Sequence, residues 1–115
     1  MKLRDLSNFI DLQVLTGEES MDDEVHSAFA SDLMSDVLAF GVDSDFLITG
    51  LANAQAIRTA EMLDIKYILF VRKKTPNEAM IELAKDGDVV IMNTTESMYN
   101  VCGKLYAAGL KGAFV

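Results

Sequence analysis

Four absences bound this chain before any pattern is read. It has one cysteine and one histidine, no glycine-rich phosphate motif and no long apolar run. Cys102 alone excludes an intramolecular disulfide and points to a reducing compartment. One cysteine and one histidine cannot assemble a zinc site of the usual kind. Neither G-x-G-x-x-G nor G-x-x-x-x-G-K-[ST] occurs, which argues against a Rossmann dehydrogenase or a kinase. The apolar runs reach about five residues, against the ~20 that span a bilayer. Met1, Lys2, Leu3, Arg4, Asp5 and Leu6 lack a signal-peptide core, so a cytoplasmic protein is expected. Positive charge is also scarce. A formal net charge of −8 disfavours duplex DNA and anionic membrane as partners, since both would repel the average surface.

What is present is ordinary globular material: 115 residues, 50% hydrophobic and 24% charged. That length suits one domain, over 1–115, burying roughly two thirds of its unfolded surface without disulfides or metal. The informative pattern lies in the second half. Three short apolar runs, Phe46–Ile48, Tyr67–Val71 and Val89–Met92, begin about 22 residues apart, and each precedes a polar turn and an amphipathic stretch. The expected fold is α/β, a three-layer, mostly parallel sheet of about five strands with helices on both faces.

The first half reads less sharply. A short helix is expected over Lys2–Ile10, with Leu3, Leu6 and Phe9 or Ile10 on one face. A brief strand follows over Leu12–Leu15, ended by Thr16-Gly17, then an acidic loop over Glu18–Glu24 and an extended piece over Val25–Ala30. A helix from Asp32 presents Leu33, Met34, Val37 and Leu38, capped by Ser31 or Asp32 and stopped at Gly41. Later helices start near Asn53, with Ala56, Ile57, Ala60 and Leu63 inward, and at Thr75-Pro76-Asn77-Glu78, which reads as a capping box with proline at the first helical position. That helix buries Met80, Leu83 and Ala84 and stops at Gly87. The last helix is capped by Thr94 or Thr95, carries Met98, Val101, Cys102 and Leu105, and ends at Gly109. A final extended piece is expected over Gly112–Val115.

Parallel sheets bind ligands beyond the carboxyl ends of their strands, which directs the search for a site. Thr49 and Gly50, then Arg72 and Lys73, then Thr94 and Thr95 all follow strands at that edge, with Asn53 at the next helix start; Ser31 and Asp32 join them if Val25–Ala30 runs parallel to the rest. Helix N-termini there suit an anion, and Arg72-Lys73-Lys74 is the one run of three basic residues. The candidate ligand-binding residues are therefore Ser31, Asp32, Thr49, Asn53, Arg72, Lys73, Thr94 and Thr95. The simpler alternative is that Ser31, Asn53, Thr75 and Thr94 only cap helices and the basic triplet is an exposed turn.

Other chemistry is weakly signalled, and no catalytic residue, metal site or cofactor is expected. His26 as a base would need an orienting carboxylate, with Asp22, Asp23 and Glu24 nearest in sequence; a plain surface histidine is the simpler reading. The same acidic run lacks the glycine and ligand spacing of a calcium loop, so a solvated loop is favoured over a cation site. Cys102 and most methionines, Met34, Met62, Met80 and Met98 among them, read as core; a methionine-rich partner groove is the alternative.

Gly17-Glu18-Glu19 through Asp22, then Ser31-Asp32-Leu33-Met34-Ser35-Asp36-Val37, resembles the DRTGG domain family, whose usual run is Gly-Glu-Glu, an Asp-Arg pair, one or two glycines and Ser-Asp-Leu-Leu-Ser-Asp-Val. The likeness extends through Tyr67–Val71 and Thr75-Pro76 to Ala108-Gly109-Leu110. The chain departs from the pattern where the family has its name: Asp23 stands at the arginine, Ser27-Ala28 at the glycines, and Arg72-Lys73-Lys74 in a turn often rich in glycine. A ligand site shaped by those family residues is then altered or lost here. The resemblance implies a compact α/β domain without demonstrated catalysis. Relatives stand alone, occur in phosphotransacetylase-like proteins, or lie between CBS modules of regulated pyrophosphatases; the N-terminal part of HPr kinase/phosphorylase is similar. Dimerisation recurs among them.

Together these features favour a non-catalytic regulatory or interaction module. The expected partners are a second copy of the chain, forming a homodimer, and a small anionic metabolite or nucleotide. An enzyme acting on a phosphorylated small molecule, with Asp32 or Asp36 as acid/base, is the alternative. A docking subunit of a larger complex, held by a protein partner, is the third.

Overall fold

A computed structural model describes residues 1–113 of the chain. A 3₁₀ helix, Leu3–Asn8, leads to β1, Gln13–Val14, and a second 3₁₀ turn, Glu18–Ser20. Then come β2, Ala28–Ala30; α1, Met34–Phe40; β3, Phe46–Thr49; α2, Ala54–Met62; β4, Tyr67–Phe70; α3, Glu78–Asp86; β5, Val90–Asn93; and α4, Met98–Ala107. The sheet order is β1-β5-β4-β3-β2. β2, β3, β4 and β5 run parallel, with Ala28 opposite Phe46, Phe46 opposite Tyr67 and Tyr67 opposite Val90. β1 lies antiparallel to β5, Gln13 opposite Asn93. The expected α/β sheet is thus present.

Every residue of β3, β4 and β5 is buried, because alternate side chains enter opposite cores. Phe46, Ile48, Tyr67, Leu69, Val90 and Met92 face a core closed by Leu3, Leu6 and Ile10 and by Val101 and Leu105 of α4. Leu47, Ile68, Phe70 and Ile91 face the other, closed by Met34 and Val37 of α1, Ala56, Ile57 and Ala60 of α2, and Met80 and Ala84 of α3. Each large apolar side chain so buried stabilises the fold by roughly 1.5–3 kcal/mol relative to its exposed state. Consecutive parallel strands step across the sheet in one direction, so their crossover helices α1, α2 and α3 share a face. β2 to β5 therefore contain no reversal of strand order of the kind that opens a ligand crevice.

Several local expectations need correction. The short helix expected over Lys2–Ile10 is present as a 3₁₀ segment ending at Asn8; beyond it Ile10 is buried and Phe9 exposed. The strand expected over Leu12–Leu15 shrinks to two residues and runs against its neighbour. Thr75 is not a cap: Asn77 is, its side chain accepting from Met80 N at 2.9 Å, which places Pro76 outside the helix and Glu78 at its first position. Upstream, the Asn93 Nδ2 donates to the Lys74 carbonyl at 3.2 Å, tying the turn after β4 to the end of β5. Ser97 rather than Thr94 or Thr95 caps α4, accepting from Asn100 N at 3.2 Å. Leu33 stands at the cap position of α1 without a side-chain bond, because Ser31 closes its own turn and Asp32 is engaged elsewhere. Met62 is exposed, not core. Gly41 and Gly87 end α1 and α3 as the pattern predicts. At the C-terminal end, Lys111 pairs with Ser27 in an isolated parallel bridge; Phe114 and Val115 of the expected last extension lie outside the described residues.

Candidate functional site

The carboxyl ends of β2, β3, β4 and β5 form one rim, and Asp32 is its hub. Ser31 leaves β2 with its N–H donating to the Ile48 carbonyl at 3.1 Å, and its Oγ accepts from Leu33 N at 3.0 Å. This short turn aims the Asp32 carboxylate at the β3 exit. There Oδ1 accepts from Gly50 N at 2.6 Å and from Thr49 Oγ1 at 3.3 Å. Oδ2 accepts from Arg72 Nη2 at 2.9 Å. The buried Thr49 hydroxyl also accepts from Leu51 N at 3.1 Å, which fixes its rotamer.

Arg72 reaches this position through an uncommon backbone. Arg72 and Lys73 both have φ of 60°, a left-handed conformation that side chains other than glycine seldom adopt. Two cross-strand bonds hold it: Arg72 N donates to the Glu96 carbonyl at 2.8 Å, and Lys73 N to the Thr94 carbonyl at 2.9 Å. The turn after β4 is thereby tied to the turn after β5. Thr94, buried, accepts from Glu96 N at 3.3 Å through its hydroxyl.

Asp32 and Arg72 are both half-exposed, and their carboxylate–guanidinium contact is the charged centre of the rim. Partial burial pushes the Asp32 carboxyl upward. The Arg72 hydrogen bond, the Gly50 N–H, the Arg72 charge and the Thr49 hydroxyl outweigh it and hold the group below its ordinary range. Chemically, the arrangement is an oxyanion cradle: one main-chain N–H, one hydroxyl and one guanidinium converge on a single anionic group.

The expected site residues therefore divide. Asp32, Thr49 and Arg72 meet through side chains, Ser31 adjoins them, and Lys73 and Thr94 join through the backbone. Asn53 is committed to capping α2, accepting from Ala56 N at 3.2 Å. Thr95 turns to the β1 side, its hydroxyl donating to Asp11 Oδ2 at 2.8 Å. Glu96 was not signalled: besides its backbone contact with Arg72, its carboxylate accepts from Asp11 N at 3.0 Å and pairs with Lys104. No local spacing marks Glu96, since Asp11 and Arg72 come from distant segments.

At the opposite edge the acidic run is not the free loop that its composition suggests. Asp22 pairs with Arg4, and Asp23 accepts from the Tyr67 hydroxyl at 2.8 Å beside Lys66. Burial and Asp23 push the Tyr67 phenol well above its ordinary value. His26 does have an orienting carboxylate, but it is Asp45, 3.0 Å from Nδ1, and not Asp22, Asp23 or Glu24. The same carboxylate accepts from the backbone N–H groups of His26 and Ser27, so its first role is to pin the entry to β2. Cys102 is half-buried against one core, and burial pushes its thiol up, as for an unreactive core cysteine. No group of three or more His, Cys, Asp or Glu side chains placed to hold a metal occurs among the described residues, nor does a helix long and apolar enough to cross a membrane.

No family model and no curated protein matches the chain. Among solved structures it is similar to the CBS and DRTGG domains of the regulatory region of Clostridium perfringens pyrophosphatase, determined in complex with the activator diadenosine tetraphosphate. The TM-score is 0.75 at 16% identity, covering 90% of this chain and 45% of that one, so this chain spans under half the length of its neighbour. The fold is accordingly DRTGG-like, in agreement with the resemblance carried by Ser31-Asp32 through Val37.

Proposed function

We propose that residues 1–115 form a DRTGG-like regulatory module that binds a phosphate-bearing metabolite or nucleotide at the rim of Asp32, Thr49, Gly50 and Arg72, without catalysing its turnover. The observation that carries this reading is the convergence of Gly50 N–H, the Thr49 hydroxyl and the Arg72 guanidinium on one anionic group. Lys73 follows Arg72 in the same left-handed turn and adds a second positive charge to the rim of an acidic protein. The pyrophosphatase regulatory region with a similar fold was determined with a nucleotide activator, which makes nucleotides the first probes to use.

Self-association is the second part of the proposal. Leu33, Leu38, Phe40 and Val42 are all exposed on α1 and its flanks, the helix that follows the edge strand β2 in the chain. A symmetric pair would bury about 800 Å² per partner. Thermal-shift screening with ATP, diadenosine tetraphosphate, acetyl phosphate and glucose 6-phosphate, alongside sedimentation velocity, tests both parts. The reading expects a phosphate-bearing ligand to raise the melting temperature in wild type but not in Arg72→Gln, and a dimer at micromolar concentration. Turnover of a hit, abolished by Asp32→Asn, would favour the enzyme instead. No shift with any ligand, together with capture of a partner protein, would favour the docking subunit.

A further inference from the structure

The cradle at the β3 exit is already filled by an anion, and that anion belongs to the chain. The Asp32 carboxylate takes the Gly50 N–H and the Thr49 hydroxyl through one oxygen and the Arg72 guanidinium through the other. These are the donor types that hold a phosphoryl oxygen: a main-chain N–H at a strand-to-helix turn, a hydroxyl and an arginine guanidinium. The arginine is drawn in tightly. A Cβ on Gly50 would meet Arg72 Nη2 at 2.0 Å and Asp32 Oδ1 at 3.2 Å, so both groups occupy the space directly above the Gly50 main chain. An external anion and the Asp32 carboxylate cannot use this space together.

Resting on the anion-binding reading above, we infer that Asp32 is an internal stand-in for the ligand, and that a phosphoryl group binds by displacing the Asp32 carboxylate from Gly50, Thr49 and Arg72. The displaced carboxylate moves into solvent, since it is half-exposed already and hangs on the short Ser31–Leu33 turn. The base of the Arg72 side chain stays at the rim, because its backbone is fixed by Glu96 and its neighbour Lys73 by Thr94, and the guanidinium turns from the carboxylate to the incoming anion. Asp32 thus lowers the apparent affinity by the fraction of time that it fills the cradle, and removing its charge removes that penalty. The exchange also carries information: release of Asp32 frees the turn between β2 and α1, the helix with the exposed apolar side chains.

The test is a titration of the ¹⁵N-labelled full chain with inorganic phosphate, following the Gly50 amide resonance. Asp32→Asn keeps the shape and removes the charge. Asp36→Asn, an exposed site in the first turn of α1, makes the same change in net charge away from the cradle. The expected result is Gly50 saturation at about tenfold lower phosphate in Asp32→Asn than in wild type, with Asp36→Asn unchanged. Equal or weaker binding in Asp32→Asn overturns the inference, because Asp32 then serves to position Arg72. An equal gain in Asp36→Asn overturns it too, reducing the effect to net charge. If ATP moves Gly50 in wild type while Asp32→Asn gains nothing, the inference fails and the anion site survives. If neither phosphate nor ATP moves Gly50 in wild type or in Asp32→Asn, the anion site itself fails.

Discussion

The Arg72 guanidinium lies across the backbone of Gly50 so closely that a methyl group there would come within 2.0 Å of Nη2. Gly50 has an ordinary backbone conformation, so what its position requires is space and not a positive φ. The obstructing atom is the end of a flexible side chain, and substitution should evict Arg72 while leaving the sheet intact.

Gly50→Ala is therefore expected to lower stability by about 1 kcal/mol, the scale of a partly exposed ion pair with its hydrogen bond. In an Arg72→Ala background the same change should cost close to nothing. A double-mutant cycle by urea unfolding measures the coupling. Equal costs in both backgrounds would show that Gly50 and Arg72 do not compete for the same space.

The Asp32–Arg72 pair also sets a pH dependence. The folded-state pKa of Asp32 lies below its ordinary value of 3.8. Its stabilisation is thus fully present above that value and is lost as pH falls through the folded pKa. Carboxyl titration by NMR should show the depressed value in wild type. In Arg72→Gln the value should rise, because burial still opposes the charge while the main counter-charge is gone. An unchanged value would remove Arg72 as the cause.

Helix capping separates the observed starts from the expected ones. Asn77→Ala should cost about 1 kcal/mol, whereas Thr75→Ala should stay within about 0.5 kcal/mol. Thermal unfolding of the two variants decides between them, and the reverse order would restore Thr75 as the cap.

Gly17 provides a contrast with Gly50. Its φ is +81°, and an added Cβ would sit 2.5 Å from Cγ2 of Val90, a stiff branched side chain in the central sheet. Gly17→Ala combines left-handed strain with overpacking and should cost about 2–4 kcal/mol, read from urea midpoints. A loss below 1 kcal/mol would contradict the close packing of the Gly17 turn on β5.

The parallel core was legible because β3, β4 and β5 are apolar on both faces and are separated by helices of matching length. Their outgoing turns had to share one edge, so Thr49 and Arg72 could be gathered there before any coordinates, and Asp32 with them on the condition that β2 runs parallel, as it does. Their pairing could not. Asp32 and Arg72 are 40 positions apart, and nothing in local spacing distinguishes Arg72 from Lys73 or Lys74. The caps failed for a related reason: Thr94 and Thr95 have the right side chains, but Glu96 and Asp11 use them first. β1 was readable as extended, yet two residues carry no signal of direction, and its partner β5 lies 80 positions away, Gln13 opposite Asn93.

The account turns on whether the rim at Arg72 binds a phosphate-bearing anion. Isothermal titration calorimetry of wild type and Arg72→Gln with ATP tests this most directly. The account predicts a saturable heat in wild type and at least about tenfold weaker binding in the variant, the scale of one lost charge-assisted contact. Equal affinity in both proteins, or no binding heat in wild type, would contradict it.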